Sequence, residues 1–87
     1  MRMISFTTEA WNDYLKWAEK DQKVLKKINK LIEEILRTPF KGSGQPDPLK
    51  FNLSGYWSRR IALKDRLIYK VEKERILIIF CKGHYFV

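Results

Sequence analysis

The sequence predicts an α+β fold, with an N-terminal strand and two helices packed on one face of an antiparallel β-sheet. Three observations carry this. Apolar residues recur at intervals of three and four through the first half of the chain. Glycine and proline then crowd into a single mid-chain stretch, "KGSGQPDPLK". After it come three short segments rich in β-branched and aromatic residues, close enough together to form a meander.

Each element has its own signal. "MISF" alternates briefly and reads as a short strand. Thr7, Thr8 and Glu9 supply a cap and an early acid for a first helix. Trp11, Tyr14, Leu15 and Ala18 are expected to share its apolar face. Lys20 and Asp21 mark a break, with Asp21 able to cap a second helix. There Val24, Leu25, Ile28, Leu31, Ile32 and Ile35 form an apolar stripe, and Lys23, Lys26, Lys27 and Lys30 point away from it. Thr38 precedes Pro39, and proline pushes its predecessor out of the helical region, so the helix stops there.

The Gly/Pro stretch is expected to be a loop. "YWSRRIAL" and "RLIYKV" follow as strands joined by a tight hairpin at Lys64 and Asp65. A turn near residues 72–74 leads into "RILIIFCKG". Its run from Ile76 to Phe80 is apolar at every position, the pattern of a central strand covered on both faces.

The 87 residues read as a single domain, 1–87, with 45% apolar residues as core material. One cysteine, Cys81, excludes an internal disulfide framework. One cysteine and one histidine make a poor zinc set, so no metal or cofactor is expected. The N-terminus reaches charged residues too early for a signal peptide, and no apolar run approaches the ~20 residues of a membrane span. The expected compartment is the cytoplasm. Eighteen Lys/Arg against ten Asp/Glu leave a formal charge of +8, a field that attracts polyanions.

Arg59 and Arg60 are adjacent on a strand and must point to opposite faces. Together with Arg66, and interleaved with Tyr56, Trp57 and Tyr69, they suit phosphates and unpaired bases. The same residues would equally serve as core aromatics with a basic rim. Asp47, between Pro46 and Pro48, sits on a stiff extended segment; it is either a pre-ordered carboxylate base or part of a rigid connector. His84 is the single histidine, near the end of the last strand, where Gly83 can bend the chain. A carboxylate, arginines and an imidazole are the groups that metal-free RNA cleavage requires.

Longer blocks carry a family likeness. "TPFKGSGQPDPLKFNLSGYWSRRI", then "RLIYKV", then "HY" near the end resemble the Txe/YoeB toxins of the RelE superfamily. "WNDYLKW" and "KKINKLIEEILRTPF" fit that family's two helices, so the likeness spans nearly the whole chain. The resemblance implies a fold similar to small microbial ribonucleases and a ribosome-dependent endoribonuclease that cleaves mRNA in the A site. It implies ribosomal RNA and mRNA as partners, a YefM-type antitoxin with an acidic segment, and a homodimer, with no membrane. By position it places a general base on Asp47, a phosphate-stabilising arginine on Arg66, a general acid on His84 and a supporting aromatic on Tyr85. Lys50 and Arg60 match positions that assist in substrate binding.

Two departures stand out. The family's usual base is glutamate, and Asp47 is one methylene shorter. A displacement of about 1 Å at a catalytic group can cost on the order of 10²-fold in rate. Phe86 and Val87 also extend beyond the His-Tyr pair, where they would anchor His84 on the sheet or enter a dimer contact. Two other readings use the same scaffold: a gyrase-poisoning relative, and a non-catalytic RNA- or antitoxin-binding module.

Overall fold

The computed structural model describes residues 1–83. Strand β1 (Met3–Phe6) leads into helices α1 (Thr8–Lys20) and α2 (Gln22–Arg37). The chain returns as β2 (Asp47–Pro48), β3 (Tyr56–Arg60), β4 (Arg66–Val71) and β5 (Arg75–Phe80). The five strands form one sheet in the order β1-β5-β4-β3-β2. The meander from β2 to β5 is antiparallel, as the short connections require. β1 joins in parallel on the outer side of β5, so the sheet is mixed. The two helices carry the chain from β1 on one edge of the sheet to β2 on the other, and the meander returns β5 to the side of β1.

Both helices start where the sequence places them. Thr7 Oγ1 accepts from the Ala10 amide at 3.2 Å, and Asp21 accepts from the amides of Lys23 and Val24. Ile28, Leu31 and Ile35 of α2 are buried against Leu67, Tyr69, Ile76 and Ile78 of the sheet. The face of α1 differs from expectation. Its inward residues are Ala10, Tyr14 and Trp17, whereas Trp11 and Leu15 remain 46% and 45% exposed. Ala10 is small enough to let α1 lie close to the end of β5. There Cys81 Sγ donates to the Ala10 carbonyl at 3.5 Å, and Trp17 Nε1 donates to the Cys81 carbonyl at 2.7 Å.

Three further expectations change. Residues 47–48 are an edge strand rather than loop; an edge tolerates Pro48, which has no amide to donate. The β3–β4 connection is longer than a two-residue hairpin. Ile61 and Ala62 both donate to the Asp65 carbonyl, and the Asp65 amide returns a bond to Ala62. Last, β5 does lie inside the sheet, between β1 and β4, but its faces are covered unequally: Ile76 and Ile78 are fully buried, Leu77 and Ile79 half-buried. A register shift between Ile68 and Tyr69 pairs them with Phe80 and Ile78, leaving Ile79 as the extra residue of a bulge. Bulges bend a strand and increase its twist.

Candidate functional site

The helices cover the sheet face that carries Trp57, Arg59, Leu67 and Tyr69. Side chains alternate along a strand, so Ser58 and Arg60 of β3 and Arg66 of β4 face the other way. Register completes the set. Asp47 is opposite Ser58, and Arg60 is opposite Arg66. Residues 44–47, Ser58, Arg60 and Arg66 line one cleft of about 420 Å³ on this open face.

Within the cleft, Asp47 and Arg60 are exposed and Arg66 is half-buried. Nη1 of Arg66 donates to the carbonyls of Ala62 (3.1 Å), Asp65 (3.1 Å) and Leu63 (3.4 Å), which fix the guanidinium against the β3–β4 turn. Its Nε and Nη2 have no partner among the described residues, nor does the side chain of Arg60. Two guanidinium groups side by side, with a carboxylate across the cleft, suit a phosphodiester: planar N–H forks for its oxygens and an acceptor for a nearby proton.

The same turn binds Gly83, the last of the described residues. The Gly83 amide donates to Asp65 Oδ1 at 2.6 Å, and the Arg66 amide donates to the Gly83 carbonyl at 3.2 Å. The backbone immediately before His84 is thus bonded to the backbone of Arg66. His84 and Tyr85, with Phe86 and Val87, lie outside the described residues. Lys50 is exposed, precedes the 3-10 turn Phe51–Leu53 with its carbonyl accepting from the Leu53 amide at 3.2 Å, and is not among the cleft-lining residues. On the same open face, Lys70 Nζ stands 5.5 Å from the centre of the Tyr56 ring, a cation–π contact at the far end of β3.

Arg59 resolves the question its neighbour raised. It is fully buried beneath the sheet, and all five guanidinium N–H groups are used. Nε donates to Tyr69 Oη (3.1 Å), and Nη1 donates to Glu34 Oε1 (2.8 Å) and the Ser43 carbonyl (3.2 Å). Nη2 donates to the carbonyls of Thr38 (2.8 Å) and Lys41 (2.7 Å). Tyr69 Oη in turn donates to the Pro39 carbonyl at 2.7 Å. Glu34 also accepts from the Ser43 amide and from Ser43 Oγ (2.9 Å). These two bonds from Ser43, followed by the Arg59 guanidinium, hold its carboxyl below the usual carboxylate range. Burial pushes the Tyr69 phenol up, against the opposing pull of Arg59.

Sequence reasoning split Arg59 from Arg60 but did not find Glu34 or Ser43 as partners. The available signal was the obligation itself: an arginine turned into a core needs a carboxylate or several carbonyls, and Glu34 lies at the end of the α2 stripe, one residue before the buried Ile35. Among the described residues no group of three or more His, Cys, Asp or Glu side chains could hold a metal ion. Nor is any helix there long and apolar enough to cross a membrane.

The small two-helix α+β fold is shared with YafQ from Escherichia coli. That structure superposes at a TM-score of 0.75 over 95% of this chain and 93% of its own, at 20% identity. The nearer matches are specific. The family model described as YoeB-like toxin of bacterial type II toxin–antitoxin system matches residues 6–85, and the chain belongs to that family. Toxin YoeB of Escherichia coli K12 is 52% identical over 85 residues, which cover 98% of this chain and all of that one. The YoeB dimer from Staphylococcus aureus gives a TM-score of 0.91 at 44% identity, covering 97% of this chain and 98% of that one. YoeB in the heterotetrameric YoeB–YefM complex of the same species gives 0.90 at 43%, covering 98% and 99%.

Proposed function

We propose that this toxin is a ribosome-dependent endoribonuclease that cuts mRNA in the ribosomal A site by general acid–base catalysis. The observation that carries the reading is the convergence of Asp47, Arg60 and Arg66 on one cleft from three different strands. Asp47 takes the proton from a ribose 2′-hydroxyl, and that oxygen attacks the adjacent phosphorus. Arg66, held by its turn, and Arg60 beside it stabilise the charge that grows on the phosphoryl oxygens, where fixed positive groups count most. His84 protonates the departing 5′-oxygen and Tyr85 supports it, with the chain entering this pair from Gly83, which is bonded to the Arg66 backbone. Lys50 assists by binding the RNA backbone beside the cleft. The cleft alone is too small to read a long RNA, in keeping with a ribosome that presents the substrate.

The whole chain, 1–87, acts as one domain in the cytoplasm. Its partners are the ribosome, with its mRNA and ribosomal RNA, and a YefM-like antitoxin whose acidic segment complements the +8 charge. A homodimer is the expected free form, by analogy with the Staphylococcus aureus dimer.

The test is a translating extract in which mRNA cleavage is mapped for wild type, Asp47→Asn and His84→Ala. Each variant is expected to lose roughly 10²–10⁴ in cleavage rate. Naked mRNA is expected to stay intact. Equal cutting by all three proteins, or no cutting by wild type, would sink the proposal.

A further inference from the structure

We propose that Arg59, which touches neither substrate nor solvent, is a positioning residue for the cleft. It acts by clamping the segment between α2 and β2 so that Asp47 meets Arg60 and Arg66 in the right register. The proposal rests on the site reading given above and adds a residue set that the resemblance does not assign.

The physical chain is short. α2 ends at Arg37, and the nine residues before Asp47 hold no regular element, with glycine at 42 and 44. Such a segment has many conformations when unrestrained. Arg59 binds it at three carbonyls, those of Thr38, Lys41 and Ser43, and ties it to α2 through Glu34. A carbonyl only one residue beyond the last of these, that of Gly44, accepts from the Arg60 amide at 2.6 Å. Three residues later Asp47 pairs with Ser58. The buried arginine and the cleft arginine are thus chain neighbours that grip successive parts of one segment, Arg59 through its side chain beneath the sheet and Arg60 through its backbone amide.

The glycines show how closely the segment is held. A Cβ on Gly42 would lie 1.9 Å from Glu34 Oε1 and 3.1 Å from Arg59 Nη1, at a φ of +121°. A Cβ on Gly44 would lie 2.9 Å from the Arg60 carbonyl. A side chain at Gly42 must therefore displace the Glu34–Arg59 pair itself. This is an independent way to loosen the clamp without leaving a buried charge unpaired by deletion.

The experiment compares Ser43→Ala, Gly42→Ala and Arg59→Lys with wild type in the full-length protein. Three quantities are read: circular dichroism melting, amide hydrogen exchange at Arg60, and cleavage rate against ribosome concentration in the extract. Ser43→Ala removes only the hydroxyl bond to Glu34, so it keeps the test alive should the other two fail to fold. At a temperature where Ser43→Ala is fully folded, exchange at the Arg60 amide should accelerate roughly two- to tenfold, as loss of one hydrogen bond implies. Exchange at Leu67 and Ile78 should not change. The saturating cleavage rate should fall by about 10-fold or more, within the range for a misplaced catalytic group, while half-saturation stays put. Folded Gly42→Ala should show larger effects of the same kind, and pairing it with Ser43→Ala should be less than additive.

Wild-type exchange at Arg60 and a wild-type saturating rate in folded Ser43→Ala and Gly42→Ala would overturn the proposal. So would a fall in melting temperature alone, which makes Arg59 merely structural. The exchange measurement needs no activity, so it separates failure of the clamp from failure of Asp47 as base. Faster exchange at Arg60 with an active Asp47→Asn protein would retain the clamp's grip on the segment but refute the catalytic role it is proposed to serve.

Discussion

Arg60 and Arg66 stand directly opposite each other on β3 and β4, like charges in cross-strand register on the open face of the sheet. Same-sign pairs in this position oppose folding, by roughly 0.2–1 kcal/mol. The molecule keeps them where Asp47 edges the same cleft. An arrangement that costs stability and concentrates positive charge fits a site built to meet an anion.

Arg60→Ala should consequently change two quantities in opposite directions. The free protein should become slightly more stable, by about 0.2–1 kcal/mol, as the facing charge is removed. Cleavage of ribosome-bound mRNA should fall. Urea unfolding at low salt and the extract assay on one preparation measure both. The stability gain should shrink as salt rises, since both groups are near solvent.

The Glu34 carboxyl gives the fold an acid-sensitive point. Its value in the folded protein lies below the usual 4.5, through the Ser43 bonds first and Arg59 after them. A group depressed on folding contributes stability above its unfolded value, and loses it as pH falls through the folded one. Wild-type stability should therefore drop as pH is lowered below about 4.5, the value for the unfolded chain. Glu34→Gln should start from a lower stability at neutral pH and show a flatter acid limb in that window. Melting curves between neutral pH and the acid range test this; parallel acid limbs would contradict the clamp's electrostatics.

Cys81 is expected to be chemically silent in the native state. It is fully buried beneath α1, and burial pushes its thiol up to about 12. Because the thiolate is the reactive form, modification by an aromatic disulfide reagent at pH 8 should occur only through opening of the α1–β5 contact. The labelling rate should follow stability when denaturant is added. Fast labelling in buffer alone would contradict the packing of α1 on the end of β5.

Much of this architecture was readable from the chain. Thr7 and Asp21 cap the helices as their chemistry dictates, and Ile28, Leu31 and Ile35 face the core that their spacing implies. The opposed directions of Arg59 and Arg60 follow from strand geometry alone. Pairing over long distances was less accessible. Nothing near Met3 says that it will run parallel to β5, because its partner is the last strand and three other strands lie between them in the chain. Likewise Trp11 and Leu15 look inward by hydrophobicity, yet Ala10 and Trp17 are turned to the core by how closely α1 approaches Cys81. The site divides in the same way. Asp47, Arg60 and Arg66 are conspicuous by residue type, whereas the hold of Arg59 on residues 38–43 goes with a contact to Glu34, 25 residues away in sequence.

The chemistry of the cut ends tests the central claim most directly. Attack by the 2′-hydroxyl keeps the scissile phosphate on the upstream fragment and releases a 5′-hydroxyl downstream. The fragments from a translating extract should therefore carry a 2′,3′-cyclic phosphate, or its 3′-phosphate hydrolysis product, upstream. The downstream fragment should accept phosphate from polynucleotide kinase without prior phosphatase treatment. Downstream fragments that already bear a 5′-phosphate, with a 3′-hydroxyl upstream, would show that water and not the ribose attacks the phosphorus, and would contradict the roles assigned to Asp47 and His84.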